Sequence, residues 1–488
     1  MTELFLLLAG ASLVYLVLMV WLTLRKHSEG EDLVSSSTLL FALWVVSTAF
    51  WGGYFLKIHV GGLFDITIDR VLFLLVLLIV ASGIASGRVF RNRNLALETT
   101  MILFCLVCFV SMVLHGFKPD NPSYPSPWNL FINGYLFPFV AFVFAKNYVT
   151  DEQDIRIVLQ TLFIMGLYLA VISFFEFMGW RRLVYPQFIN DPEITLHLDR
   201  ARGPFLNAAF NGVALIVGFV SGCHLLATSA ARRTTLGRLG PLLLVPFIPA
   251  IFFTQTRSIY LGFAIALMIL FLFYRTGIPK WKAFALPLAV LLVVLLSSTP
   301  RLASKERREG GILQLEEVLV RASLFTRSLV MFEEQPLAGV GLGRFIPTYM
   351  EQYRGRVVAM VSTENQAQHN HLLGMLVELG LVGVLLYLAI IIQLFRRIAQ
   401  AFSEVPGEGI ANGNLLVVIS TVLLVQLFCN QFVEPSYCLF VNVVFFFFGG
   451  LADGLYDRFA RHDAWKTGTF RVLAGNSRGQ HPAPSHER

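Results

Sequence analysis

Two histidines, His369 and His371, close a polar run from Thr363 that leads directly into the apolar stretch Leu372 to Gly383. Imidazole is the one side chain that ordinarily titrates near neutrality, so a histidine at such an edge is a ready general base. It serves equally well as a capping group bonded to backbone. Glu378 follows about two turns into the apolar stretch. A carboxylate there costs a few kcal/mol unless it is paired or near water, and it suits orienting the histidines or pairing with an arginine. Guanidinium groups are the other chemical signal. Arg257 stands in the turn Thr256-Arg257-Ser258 between two apolar stretches, and Arg202 precedes Gly203-Pro204, with Asn207 to Asn211 opening the next stretch. A fixed guanidinium at headgroup level suits a phosphate-bearing lipid, and the plainer role is snorkelling to headgroups. Arg202 lies beside a helix N-terminus, whose free N–H groups also favour an anion, and its plainer role is an ion pair with Asp199 or Glu193.

Apolar helices must position these groups. Of 488 residues, 56% are hydrophobic and 14% charged, whereas roughly a quarter of an average soluble chain is charged. That excludes a soluble enzyme, and the abundance of Leu, Val, Ile and Phe excludes a disordered chain. The net charge of +7 comes from basic residues bunched beside apolar stretches, so no nucleic-acid partner is inferred from it. Cys105, Cys108, Cys223, Cys429 and Cys438 all fall in or at the ends of apolar stretches. They imply no disulfide framework, and Cys105 with Cys108 reads as packing rather than a redox or zinc pair.

A membrane-crossing helix needs about twenty mostly apolar residues, and about thirteen stretches qualify. They lie near 4–24, 38–56, 70–87, 98–115, 129–146, 155–178, 206–228, 239–256, 258–274, 283–299, 371–395, 413–430 and 436–452. The expected fold is all-α, a polytopic transmembrane helical bundle with a helical outer loop domain. Basic residues are retained on the cytoplasmic side. Arg25/Lys26, Arg88/Arg91/Arg93, Arg232/Arg233/Arg238, Arg275/Lys280/Lys282 and Arg396/Arg397 alternate along the chain with apolar pairs. An outward N-terminus and an inward C-terminal tail satisfy all of them. The first stretch lacks a basic start and a cleavage site, so it is expected to be a retained span. The chain divides into N-terminal spans (1–200), spans carrying the two arginines (201–299), an outer loop (300–370), C-terminal spans (371–452) and a basic tail (453–488) expected to lack a fold.

The outer loop reads as helical. Leu315, Val318, Leu319, Ala322, Phe325, Leu329 and Phe332 recur at three- and four-residue steps, with Arg321 and Arg327 elsewhere on the wheel and Pro336 closing the run. Such a stripe suits a helix lying along the membrane or packed on the bundle. Then comes Gly339-Val340-Gly341-Leu342-Gly343-Arg344-Phe345. Glycine at alternate positions permits close backbone approach, and without a preceding strand this is no nucleotide-binding fingerprint. A second short helix through Tyr349 and Tyr353 should follow.

His369-Asn370-x-x-Leu373 followed by Glu378-x-Gly380-x-x-Gly383 resembles the signature of the O-antigen ligase and polysaccharide polymerase family. Arg202-Gly203-Pro204-Phe205 with Asn207, and Thr254-x-Thr256-Arg257-Ser258, are similar to that family's two arginine elements, with Thr256 in place of its serine. Gly339-x-Gly341-x-Gly343-x-Phe345 resembles its glycine-rich stretch, and the motifs stand in the family's order from Arg202 to the C-terminal spans. Ala208-Ala209 departs from the Pro-Asn often found there.

The resemblance implies a membrane glycosyltransferase of the inner membrane, facing the periplasm. It would transfer an undecaprenyl-diphosphate-linked glycan to a hydroxyl of a glycan or lipid-core acceptor, as O-antigen ligases and exopolysaccharide polymerases do. His369 would then be the base, supported by Glu378. Arg202 and Arg257 would hold the diphosphate, with Asn207, Asn370, His371 and Arg344 as further substrate-binding residues. No Asp-x-Asp pair occurs on the outer side, so neither metal nor cofactor is expected. The main alternative is a transporter or flippase of lipid-linked glycan, which would favour internal repeats and midplane charges.

Overall fold

The computed structural model describes residues 33–51, 58–60, 64–87, 94–118, 126–192, 200–227, 235–275, 315–354 and 368–466, with 89, 124, 198, 289 and 366 between them. The expected spans near 4–24 and 283–299 (save residue 289), the N-terminus, and the tail beyond Lys466 lie outside the described residues. So do Arg25, Lys26, Arg88, Arg91, Arg93, Arg232, Arg233, Lys280 and Lys282, together with Asp199, Glu193 and Thr363.

In chain order the elements are α1 (Leu33–Phe50), a ribbon of β1 (Ile58–Val60) and β2 (Phe64–Ile66), α2 (Ile68–Ala85), α3 (Ala96–His115), α4 (Pro127–Tyr148) and α5 (Glu152–Phe177). There follow α6 (Ala208–Ala227), α7 (Thr235–Leu244), α8 (Phe247–Phe253), α9 (Arg257–Phe273), α10 (Leu315–Glu334), α11 (Phe345–Thr348), α12 (His371–Glu404), α13 (Gly413–Cys429) and α14 (Leu439–Lys466). The ribbon is antiparallel and pairs His59 with Asp65, a small departure from the all-α expectation. Among the described residues seven helices are long and apolar enough to cross a membrane, and four shorter apolar helices accompany them. Together they coincide with the eleven expected stretches that fall on described residues.

Local chemistry explains the helix ends. Asp151 caps α5 by accepting from the Asp154 N–H (2.8 Å), and Asn412 caps α13 by accepting from Asn414 N–H (2.9 Å). Pro246 separates α7 from α8. In α4, Pro138 cannot donate to the turn before it, and that turn, Ile132–Leu136, widens to π geometry. The wide turn carries Tyr135.

Glycines let α4 and α14 run side by side. A Cβ at Gly450 would collide with the Phe142 carbonyl, and one at Gly454 would lie 2.7 Å from the Lys146 carbonyl. Phe41, Phe144 and Phe447 stack beside this contact, with centroids 4.6 and 5.0 Å from Phe41. At the far end of α4 a buried charge cluster ties four segments. Lys146 Nζ lies 2.6 Å from Glu98, 2.8 Å from Asp453 and 3.9 Å from Asp457, and Arg397 Nε lies 3.0 Å from Asp453. Lys146 also donates to the Asn94 carbonyl (2.9 Å).

The described part of the segment 300–370 is helical where α10 and α11 lie, as expected, but its faces are distributed differently. Arg327 is buried with its guanidinium 3.6 Å from the Tyr349 ring centroid, and Leu324, Met331, Val340, Phe345 and Tyr353 complete a separate small core with Val377 of α12. Val318, Phe325 and Leu329 of the expected stripe remain exposed. The reason is the cation–π contact, which turns the Arg327 face inward.

α12 has 34 residues, about 50 Å at 1.5 Å per residue, well beyond a 30 Å hydrocarbon layer. It is broken at Gly380, whose φ of 64° and ψ of −165° are open essentially to glycine alone. The break would strand backbone groups, and the glycine-rich stretch supplies their partners. Val340 and Gly341 N–H donate to the Val377 and Glu378 carbonyls (2.9 and 3.0 Å), while Leu381 and Val382 N–H donate to Pro336 and Leu337 carbonyls (2.9 and 3.3 Å). Buried backbone therefore stays satisfied across the break.

Candidate functional site

The first turn of α12 is anchored three times. Asn370 caps it, its side chain accepting from the Leu373 N–H (2.9 Å). The His371 N–H donates to the Asn430 carbonyl (2.9 Å), and His371 Nδ1 lies 2.9 Å from Glu434 Oε1. The same Oε1 accepts from the Ser436 hydroxyl (2.6 Å) and N–H (3.2 Å). Tyr387 meets the His371 ring edge-on at 5.2 Å, and Tyr135 lies over it at 6.5 Å. The imidazole is thereby fixed in place and orientation.

His371 and Glu434 line a narrow cavity with Gln368, Glu378, Ser436 and Tyr437. Gly374 faces the same space, because a Cβ there would stand 3.1 Å from Glu434 Oε2. Glu378 also accepts from the Phe345 N–H (3.4 Å), which links the glycine-rich stretch to the cavity. Gly341 packs against His115, and the Leu342 N–H donates to Ser111 (3.0 Å), so that stretch is held on α3 as well as on α12.

The other expected residues do not line this cavity. His369 is exposed on the bend preceding Asn370. Arg202 is buried, and its Nη2 donates to the Ile189 carbonyl (2.8 Å). The N–H groups of Arg202 and Gly203 both donate to Glu176 (3.2 and 2.9 Å), so this loop's amides hold a carboxylate of the chain itself. Asn207 caps α6, accepting from Ala209 (2.9 Å) and Phe210 (3.4 Å) N–H groups. Asn211 donates to Ser173 and to the Ala201 carbonyl, closing the loop onto α6. Arg257 is the half-exposed first residue of α9. Arg344 donates from Nη2 to the Lys118 carbonyl (3.2 Å) and its guanidinium lies against Gly116.

One segment joins these pieces. Cys429 Sγ lies 3.8 Å from the Ser258 carbonyl, next to Arg257, and the neighbouring Asn430 carbonyl receives the His371 N–H. Glu434 holds the His371 ring, and Phe440 packs on Phe205 of the Arg202 loop with centroids 5.3 Å apart. Residues 429–440 thus touch the histidine segment and both arginine elements. Glu434, Ser436, Gln368, Tyr135 and Glu176 were not singled out from the sequence. Glu434 had a usable signal, a carboxylate before Pro435 in a short turn between two apolar stretches, which is the same pattern that drew attention to Arg257.

Residues 242–388 match the family described as O-antigen ligase. Over this stretch the chain is similar to an O-antigen ligase domain. The range contains Arg257, Arg344, His369, Asn370, His371 and Glu378, the glycine-rich stretch and the broken helix α12. Arg202, Asn207 and Glu434 lie outside the matched range and reach the domain through the contacts above. No curated protein matches the chain. The matched range together with seven long apolar helices among the described residues supports a multi-pass membrane protein.

Proposed function

We propose that the protein is a glycosyltransferase of the bacterial inner membrane that acts at the periplasmic face, with its N-terminus outward and its C-terminus inward. Its donor is an undecaprenyl-diphosphate-linked glycan, and its acceptor is a hydroxyl of another glycan or of a lipid core. The acceptor oxygen attacks the anomeric carbon while its proton passes to His369. The bond from that carbon to the diphosphate oxygen breaks, and its electron pair leaves with undecaprenyl diphosphate. Arg202 and Arg257, with Arg344, stabilise the charge that gathers on the leaving diphosphate. Asn370 and Asn207 set the two helix starts from which His369 and Arg202 act, and Glu378 holds the histidine segment against the glycine-rich stretch. No step in this route calls on a metal.

The observation that carries this reading is the match to the O-antigen ligase family, whose range includes His369, Arg257, Arg344 and the cavity residues Gln368, His371 and Glu378. General-base assistance of this kind contributes about 10²–10⁴-fold. The deciding experiment is to delete the gene in its native strain and size the lipid-linked glycan that accumulates. Long chains identify a ligase and single repeats a polymerase. No accumulation of either would overturn the transferase reading.

A further inference from the structure

Arg181 and Arg182 take no part in the reaction proposed above, and they stand where basic residues are uncommon. In the orientation of that reading α5 ends on the periplasmic side, and outer loops of this length are poor in arginine. α5 has 26 residues, about 39 Å at 1.5 Å per residue against a hydrocarbon layer of about 30 Å, so its last turn reaches the headgroup level. The single turn Arg181–Leu183 follows almost at once.

The surface leading to this turn is apolar. Ile164, Tyr168, Val171, Phe174 and Met178 recur at three- and four-residue steps, and each is between 37% and 47% exposed. They form one exposed stripe along α5. The stripe runs on to Trp180 and Leu183, both half exposed. Trp180 meets Phe174 edge-on with centroids 5.7 Å apart, and an indole takes such a place where acyl chains meet headgroups. Arg181 and Arg182 are exposed at the end of the stripe.

The turn is also held in shape. The Leu183 N–H donates to the Trp180 carbonyl (2.9 Å), and Asn190 Nδ2 donates to the Arg181 carbonyl (2.9 Å). Arg181 donates from Nη2 to the Leu198 carbonyl (3.5 Å), and Val184 and Ile189 of the same loop are fully buried. Two guanidiniums on a fixed turn above an apolar stripe match a phosphate whose acyl chains run down the helix. They also select among lipids, because a zwitterionic headgroup brings an ammonium that two guanidiniums repel.

We propose that this face of α5 and the Arg181–Leu183 turn form a docking site for one acidic phospholipid of the outer leaflet. Its phosphate lies on Arg181 and Arg182, and its acyl chains lie along the stripe. The same loop holds Arg202, whose Nη2 donates to the Ile189 carbonyl (2.8 Å), so a docked lipid braces the loop from which Arg202 acts. The assignment rests on the outward end of α5 in the transferase reading and on none of its chemistry.

The test uses the purified full-length protein in vesicles of equal amounts of phosphatidylglycerol and phosphatidylcholine. The protein is extracted in mild detergent, and the lipid that stays bound is quantified. Wild type should retain phosphatidylglycerol in preference. Arg181→Gln combined with Arg182→Gln should lower that preference by about tenfold or more, at about fivefold for each charge removed. Arg181→Lys combined with Arg182→Lys keeps both charges and should keep most of it. Equal preference in wild type and the double glutamine variant overturns the site. So does a loss that falls on undecaprenyl diphosphate added to the same vesicles and spares phosphatidylglycerol, which would give the turn to the donor. The transferase reading fails by a different result, namely continued transfer in cells carrying His369→Ala and Arg257→Ala.

Discussion

Gly380 sits with its Cα against the Leu337 carbonyl, so close that no side chain could stand between them. This pair is the seam at which the outer segment completes the broken helix. Gly380→Ala must place a β-carbon in a backbone region foreign to it and push Leu337 away. The expected loss is at least about 1–3 kcal/mol from the backbone alone, read as a lowered melting temperature of the purified protein in detergent. A melting temperature equal to wild type would show that the seam tolerates rearrangement.

Arg257 is the more accessible of the two diphosphate candidates, half-exposed where Arg202 is buried. Arg257→Ala is expected to reduce glycan transfer by about 10²–10³-fold, the usual effect of deleting one charge-stabilising donor. Arg257→Lys should recover only part of this, because an ammonium cannot reproduce the guanidinium fork. Full activity of the lysine variant would argue for a simple lipid-headgroup contact.

His369→Ala should abolish most transfer in the native strain while the protein still accumulates in the membrane, with a loss of about 10²–10⁴-fold. His369 is exposed on its bend. Normal glycan output from this variant would remove the base from the proposed reaction.

Glu176 closes the Arg202 loop by accepting two backbone N–H groups. Glu176→Leu leaves both amides without their partner, at about 1–3 kcal/mol for each buried group. The expected result is a lower melting temperature together with weaker binding of undecaprenyl diphosphate. Glu176→Gln keeps an acceptor oxygen and should fall between leucine and wild type.

The helices were legible because apolar runs of sufficient length have few alternatives in a chain this hydrophobic. Glycine alternation at Gly339, Gly341 and Gly343 correctly signalled close backbone approach, but not what would be approached. The break in α12 is invisible to a hydropathy reading because Leu379 and Leu381 continue the apolar run on either side of Gly380. The burial of Arg327 in α10 was not legible either. Periodicity finds the apolar face, and the deciding contact was a guanidinium on a tyrosine ring, which periodicity counts as polar. Of the site, sequence picked out His371 and Glu378 but missed Glu434, whose role depends on a partner 63 positions away in the chain.

Lys146→Met is expected to cost about 3–5 kcal/mol, because it leaves buried carboxylates without their cation. Thermal unfolding in detergent checks this, and an unchanged midpoint would mean that Arg397 alone neutralises the cluster.

The same cluster bears on how the chain is made. Glu98, Lys146, Arg397 and Asp453 enter the bilayer on four different helices, and the last of them belongs to the final helix described. Until that helix arrives, the earlier ones hold charges that lipid does not accept. A nascent chain halted before Asp453 still pairs Lys146 with Glu98 but leaves the Arg397 guanidinium without its carboxylate, a mark by which the cell's proteases tell an unfinished product from a finished one.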